Sequence, residues 1–141
     1  MGTLVVPVTE ADAISASGPL RRLVLPGIEE SADRRSGKRT DIAVFRASTT
    51  GSSAGATIRI LDASGREVAR KVVSLGPESS VTAFQQFNVR AILDASGYVG
   101  DYWPLGAVVD SVTGTTPVAA YVTTVDNVTG DNTFAVGIPA P

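Results

Sequence analysis

The strongest constraint on this chain is its rhythm: short runs rich in Val, Ile and Thr, each closed by a cluster of Gly, Pro, Asp, Asn or Ser. The runs are Leu4–Val8, Leu20–Pro26, "TDIAVFRAS" (Thr40–Ser48), "TIRILDA", "REVARKVVSL", "SVTAFQQFNV", "LGAVVDSV", "PVAAYVTTVDN" and "NTFAVGIP". Within Thr40–Ser48, Ile42 and Val44 alternate with Ala43 and Phe45, as in a strand buried on at least one face. One stretch breaks the period. Asn88–Ser96 places Val89, Ile92 and Leu93 at helical spacing behind Asn88, a residue type that caps helices, and predicts a short helical turn over 88–95. Seven to nine short strands at this spacing predict an all-β antiparallel sandwich. Prolines 7, 26, 77, 104, 117 and 139 fall at strand ends or connections, where a missing donor is tolerated.

With 141 residues and 43% hydrophobic content the chain has enough material for one core, built from Val, Ile, Leu and Ala because aromatics are only 6%. A net charge of −2 gives no footprint for nucleic acid. No stretch approaches the length of a membrane span, and no signal peptide is visible. Cysteine is absent, which excludes disulfides and thiolate metal sites. Histidine is absent too, so no Ser-His-Asp or Cys-His unit can form. Paired carboxylates for glycoside hydrolysis need a cleft that a small sandwich does not offer. The expectation is a protein that is not an enzyme and carries no cofactor.

Two turn phrases recur: "ILDASG" at Ile60–Gly65 and Ile92–Gly97, and D-[SN]-V-T-G at Asp110–Gly114 and Asp126–Gly130. Both place an acceptor side chain first and Gly near the end, the pattern of a turn whose glycine takes a left-handed conformation. Near the C-terminus, Asp126, Asn127, Asp131 and Asn132 crowd together and pose a choice between a calcium site and a plain hairpin. A three-residue loop opened by Asn127 would put Asp126 opposite Asn132 and Asn127 opposite Asp131. A four-residue loop would oppose Asp126 and Asp131, unfavourable without a cation. The spacing matches no EF-hand loop, and the three-residue hairpin without metal is the expectation.

For binding, the richest segment is Gly97–Gly106, with Tyr98, Asp101, Tyr102 and Trp103. It reads either as an exposed platform for a sugar or protein partner, or as a plug of large residues over the end of the sandwich. The plug is favoured, because aromatics are scarce. The run Gly27–Arg39, with seven charges in "GIEESADRRSGKR", reads as a solvated loop. Asp41 is a candidate cap for the turn leading into its strand, and "FQQFNV" presents one Gln to water and the other to an edge or neighbour.

Several segments together, "LVLPGI", "RTDIAVFRAS", "ATIRILDASGREVARKVVSLGPESS" and "AAYVTTVDNVTGDNTFAVGIPA", resemble an immunoglobulin-like β-sandwich module of secreted bacterial proteins. The likeness covers roughly residues 20–140 and departs from the usual pattern at Arg46, Glu78 and Asn132. It implies an exported immunoglobulin-like sandwich at the cell surface or outside the cell, and no catalytic residues. The resulting expectation is a structural or adhesive module over 19–141, preceded by a strand and linker over 1–18 that either packs on its own domain, the favoured case, or is exchanged with a neighbour, with a surface polymer, glycan or protein as partner. The alternative is a homo-oligomer: a surface-layer or filament subunit that adds Leu4–Val8 to a neighbour's sheet edge.

Overall fold

Pairing between runs distant in sequence sorts the strands into two antiparallel sheets. The structure, a computed structural model, describes residues 10–33, 35–47, 53–77, 83–100, 102 and 104–141. Among these, nine strands and one short α-helix follow a 3₁₀ turn at Glu10–Asp12. They are β1 (Arg22–Leu25), β2 (Lys38–Arg46), β3 (Ala54–Leu61), β4 (Glu67–Leu75), β5 (Phe84–Asn88), α1 (Val89–Ala95), β6 (Gly106–Gly114), β7 (Val118–Asp126), β8 (Asn132–Val136) and β9 (Ile138–Ala140). One sheet runs β4-β3-β6-β1-β9 and the other β5-β2-β7-β8. With β1 beside β6, and β2, β7 and β8 side by side, the chain has the B–E and C–F–G neighbourhoods of an immunoglobulin sandwich. The fold is the predicted all-β one.

The alternating runs explain the layer between the sheets. Leu23, Ile58, Ile60 and Val109 from one sheet meet Ile42, Val44, Val118 and Val122 from the other, each 2% exposed or less. Helix α1 adds Val89, Ile92 and Leu93. Asn88 caps it as predicted, its side chain accepting from the Ala91 N–H at 3.2 Å. On the side where β4 and β5 are edges, Gln85 donates to the Ser74 carbonyl at 2.6 Å, while Gln86 stays exposed and donates to Asp41. Asp41 therefore lies within β2 and accepts from its neighbour strand; it caps no turn.

Gly137 lets the last strand change sheets. β8 pairs with β7 as far as Val136, the Gly137 N–H donates to the Ala120 carbonyl, and Ile138 already pairs with Val24 of β1. The chain passes here through the core layer, and a Cβ on Gly137 would lie 3.0 Å from Leu25 Cδ2, 3.2 Å from the Ala120 oxygen and 3.3 Å from Leu23 Cβ. Pro139 sits in β9, an edge strand, where its missing donor costs little.

The recurrent phrases do not fold alike. Ile60–Gly65 makes the β3–β4 hairpin: the Gly65 N–H donates to the Asp62 carbonyl, and Asp62 Oδ1 accepts from Ser64 and Arg66 N–H. Ile92–Gly97 ends α1 in a Schellman motif, with Tyr98 N–H on the Leu93 carbonyl, Gly97 N–H on Asp94, and Gly97 at φ 69°. Asp110–Gly114, read from sequence as a turn, instead lies inside β6. There the register with β3 slips between Gly55 and Thr57, and Ser111 takes φ 54° as the extra residue of a bulge. On that outer face Arg59 bridges three strands, with Nε on Asp110 and Nη1 on Glu67, both at 2.7 Å.

Ile14 is 2% exposed and exchanges backbone hydrogen bonds with Val118, so this part of the leading segment packs on the sandwich in cis. Leu4–Val8 lies outside the described residues. The charged loop is less solvated than its composition suggests, because Ile28 and Glu30 are buried at 3% and 7% exposure. Glu30 Oε2 accepts from the Thr40 N–H at 3.1 Å.

Replacing Gly137 by Val is expected to destabilise the fold by about 1–3 kcal/mol through overpacking. Urea denaturation would read this as a lower midpoint at unchanged slope.

Candidate functional site

The C-terminal hairpin closes in the register that the sequence argument disfavoured. Val125 pairs with Asn132, the Asp126 N–H donates to the Asp131 carbonyl at 2.8 Å, and the Gly130 N–H donates to the Asp126 carbonyl. The loop is therefore four residues long, Asn127–Gly130, with Gly130 left-handed at φ 78°. Asp126 opposes Asp131, but not as a bare charge pair. Asp126 Oδ1 turns into the loop and accepts from Val128 N–H at 2.8 Å and Thr129 N–H at 3.0 Å. Across the other side of β7, Lys38 is its register partner. The two backbone donors, followed by the Lys38 charge, hold the Asp126 carboxyl below its ordinary range. The Lys38 ammonium, itself ion-paired with Glu29 at 3.1 Å, contributes the smaller part of this effect.

The remaining polar groups of the hairpin end are engaged within the chain. Asn127 Oδ1 accepts from Arg39 Nη1 at 2.9 Å, its side-chain amide donates to the Ser36 carbonyl, and its backbone N–H donates to Gly37. The Asp131 N–H goes to Thr129 Oγ1. Among the described residues no three acidic side chains are grouped as metal ligands, whereas calcium takes six to eight oxygens.

Two rings of the aromatic loop are described. Tyr98 and Tyr102 are half-buried against the core cluster, with ring centroids 6.0 Å apart in an edge-on arrangement. Asp101 and Trp103 lie outside the described residues. Tyr102 has a second contact that the sequence did not suggest: the Arg90 guanidinium sits 4.4 Å from its ring centroid. Arg90 also lines a half-open hollow of about 280 Å³ together with Glu30, Arg39, Asn88 and Asn127. The two segments singled out in the sequence, 97–106 and 126–132, therefore reach the same end of the sandwich, linked through Arg90.

The surface most suited to contact was missed by sequence reasoning. Ile42 and Val44 point inward from β2, so Phe45 points out; Tyr121 does so from β7. Phe84 pairs with Phe45, and Phe134 pairs with the outward Thr123. The four rings form a row across all four strands, β5-β2-β7-β8, with neighbouring centroids 5.9 Å (Phe84–Phe45), 5.9 Å (Phe45–Tyr121) and 4.5 Å (Tyr121–Phe134) apart. Ala43 and Ala119, both on this outer face, are nearly fully buried. Phe84 is 44% exposed, and burial pushes the Tyr121 hydroxyl above its ordinary range. The period-two alternation shows each ring facing out of its own strand. Only the register between strands aligns them.

The fold and its surfaces define a β-sandwich with an aromatic outer face and a polar hollow at one end. No protein-family model, curated protein or solved structure matches the chain.

The lowered Asp126 value fixes a sign. A carboxyl whose folded value lies below its unfolded one contributes stability above the ordinary Asp range and loses it as pH falls through the folded value. The native chain is therefore expected to be more stable than Asp126→Asn at neutral pH, with the gap narrowing as pH drops below about 4. Urea denaturation at a series of pH values checks it; a gap independent of pH would show that the charge of Asp126 is not what matters.

Proposed function

We propose that this chain is a non-catalytic, extracellular β-sandwich module of a bacterial surface or secreted protein, acting by adhesion to a surface polymer or partner. The observation that carries the reading is the aromatic row Phe84–Phe45–Tyr121–Phe134. Apolar rings gathered on the solvent face of a sheet mark an interaction surface more often than chance exposure, and aromatic side chains dominate the energetics of such contacts. The sequence contributes the other support, since a chain with no histidine and no cysteine has few routes to catalysis.

The test is retention of the purified chain on insoluble wall polymers, cellulose, chitin and peptidoglycan, compared with Phe84→Ser and Phe134→Ser. At least one polymer is expected to retain the native chain, and both variants are expected to bind it about tenfold more weakly while keeping a β-sheet circular dichroism spectrum. Equal retention of variants and native chain would remove the row from the contact, and no retention on any polymer would count against adhesion to a wall polymer.

A further inference from the structure

We infer that the hollow lined by Glu30, Arg39, Asn88, Arg90 and Asn127 is a binding site for a carboxylate-bearing saccharide. The inference rests on the chain being a binding module, but it uses a different surface from the aromatic row.

Three observations carry it. The first is preorganisation. Arg90 is clamped by its stack on Tyr102, by Nε on Asp94 Oδ1 at 3.3 Å, and by Nη1 on the carbonyls of Ser31 at 3.4 Å and Ala32 at 3.2 Å. Arg39 is held by Asn127, which is itself bonded to Ser36 and Gly37. Asn88 is fixed by Ala91, Thr40 and Asp41. A ligand meeting side chains already held in place loses little to their ordering.

The second is the surplus of donors. Arg39 Nε and Nη2, and Arg90 Nη2, donate to no partner among the described residues. Nε and Nη2 of one guanidinium form the parallel pair of N–H groups that fits the two oxygens of a carboxylate. Among the described lining residues two guanidiniums stand against the single Glu30 carboxylate, which accepts from the Thr40 N–H.

The third is the mixed character of the lining. Every lining residue among those described is charged or an amide, and the alkyl stems of these side chains add apolar surface between the polar groups, so the hollow suits a ligand that alternates polar groups with C–H faces. A sugar acid has that character: its carboxylate takes the Arg39 fork, its hydroxyls accept from Arg90 and donate to the Asn88 oxygen, and its ring C–H faces lie on the alkyl stems. The volume, about 280 Å³, suits one or two sugar rings rather than a long chain.

The experiment is an amide chemical-shift titration of the whole chain with short oligogalacturonate, with the neutral galactose oligomer and with acetate. Saturable shifts at residues 39, 88, 90 and 127 with oligogalacturonate, and binding about tenfold weaker for the neutral oligomer, for acetate and in Arg39→Gln, are the expected results. Raising the salt concentration is expected to weaken the binding. Arg39 is exposed, so its substitution leaves the fold intact. Arg90→Gln, which also loosens the Ser31–Ala32 carbonyl contacts, serves as a second variant. No saturable shift, equal affinity for the neutral oligomer or for acetate, or full binding by Arg39→Gln would each overturn the assignment. Polymer retention that depends on Phe84 while these titrations fail would leave the module reading standing and remove only the hollow.

Discussion

The whole structure hangs on one apolar layer of β-branched and leucine side chains between two sheets. Without disulfides, and with few aromatic residues inside, the chain has no other large source of stability. That layer is close-packed, so it fixes how each strand is rotated: once Ile42, Val44, Val118 and Val122 are committed inward, Asp41, Phe45, Tyr121 and Thr123 must face outward. The aromatic row is thus a by-product of core packing in its orientation, though not in its composition. Gly137 belongs to the same constraint, since the strand exchange between sheets passes where a side chain would crowd Leu23, Leu25 and Ala120.

At the end of the sandwich the governing interaction changes from burial to hydrogen bonding. The 27–39 loop, the 127–130 loop and the start of α1 meet there, and each directs polar side chains at the others' backbone: Asn127 at Ser36, Arg90 at Ser31 and Ala32, Glu30 at Thr40. Buried or half-buried backbone groups need such partners. A composition that reads as a solvated charge run in sequence becomes a set of clamps once those partners arrive. Arg39 and Arg90 line the hollow there, a polar lining that the sheets' aliphatic layer lacks.

The expectation about the C-terminal hairpin failed for an instructive reason. The argument weighed Asp126 against Asp131 alone, as two like charges across a strand pair. The structure shows Asp126 turned to its own loop's N–H groups with Lys38 as its other neighbour, so the repulsion is screened by groups outside the pair. Lys38 is far from Asp126 in sequence, and nothing local announced it. Tyr98 and Tyr102, by contrast, lie half-buried against the core, where scarce large residues add the most apolar area.

What the sequence determined by itself was periodicity and local geometry: strands where apolar residues alternate, a capped helix where they recur at helical spacing, left-handed glycines at Gly65, Gly97 and Gly130. These follow from sterics and hydrogen bonds within a few residues. What it left open is shown by "ILDASG", which makes a hairpin turn at 60–65 and a helix terminus at 92–97. The hexapeptide satisfies its glycine in both, and the surroundings choose: β4 offers Ile60 a ladder, whereas Leu93 and its neighbours are drawn as a helical face onto the core. Likewise D-[SN]-V-T-G is a loop where the chain must reverse and a bulge where β3 holds it straight. Register, the row of rings and the meeting of Arg39 with Arg90 were decided by tertiary structure alone, because each is a relation between segments that local sequence does not encode.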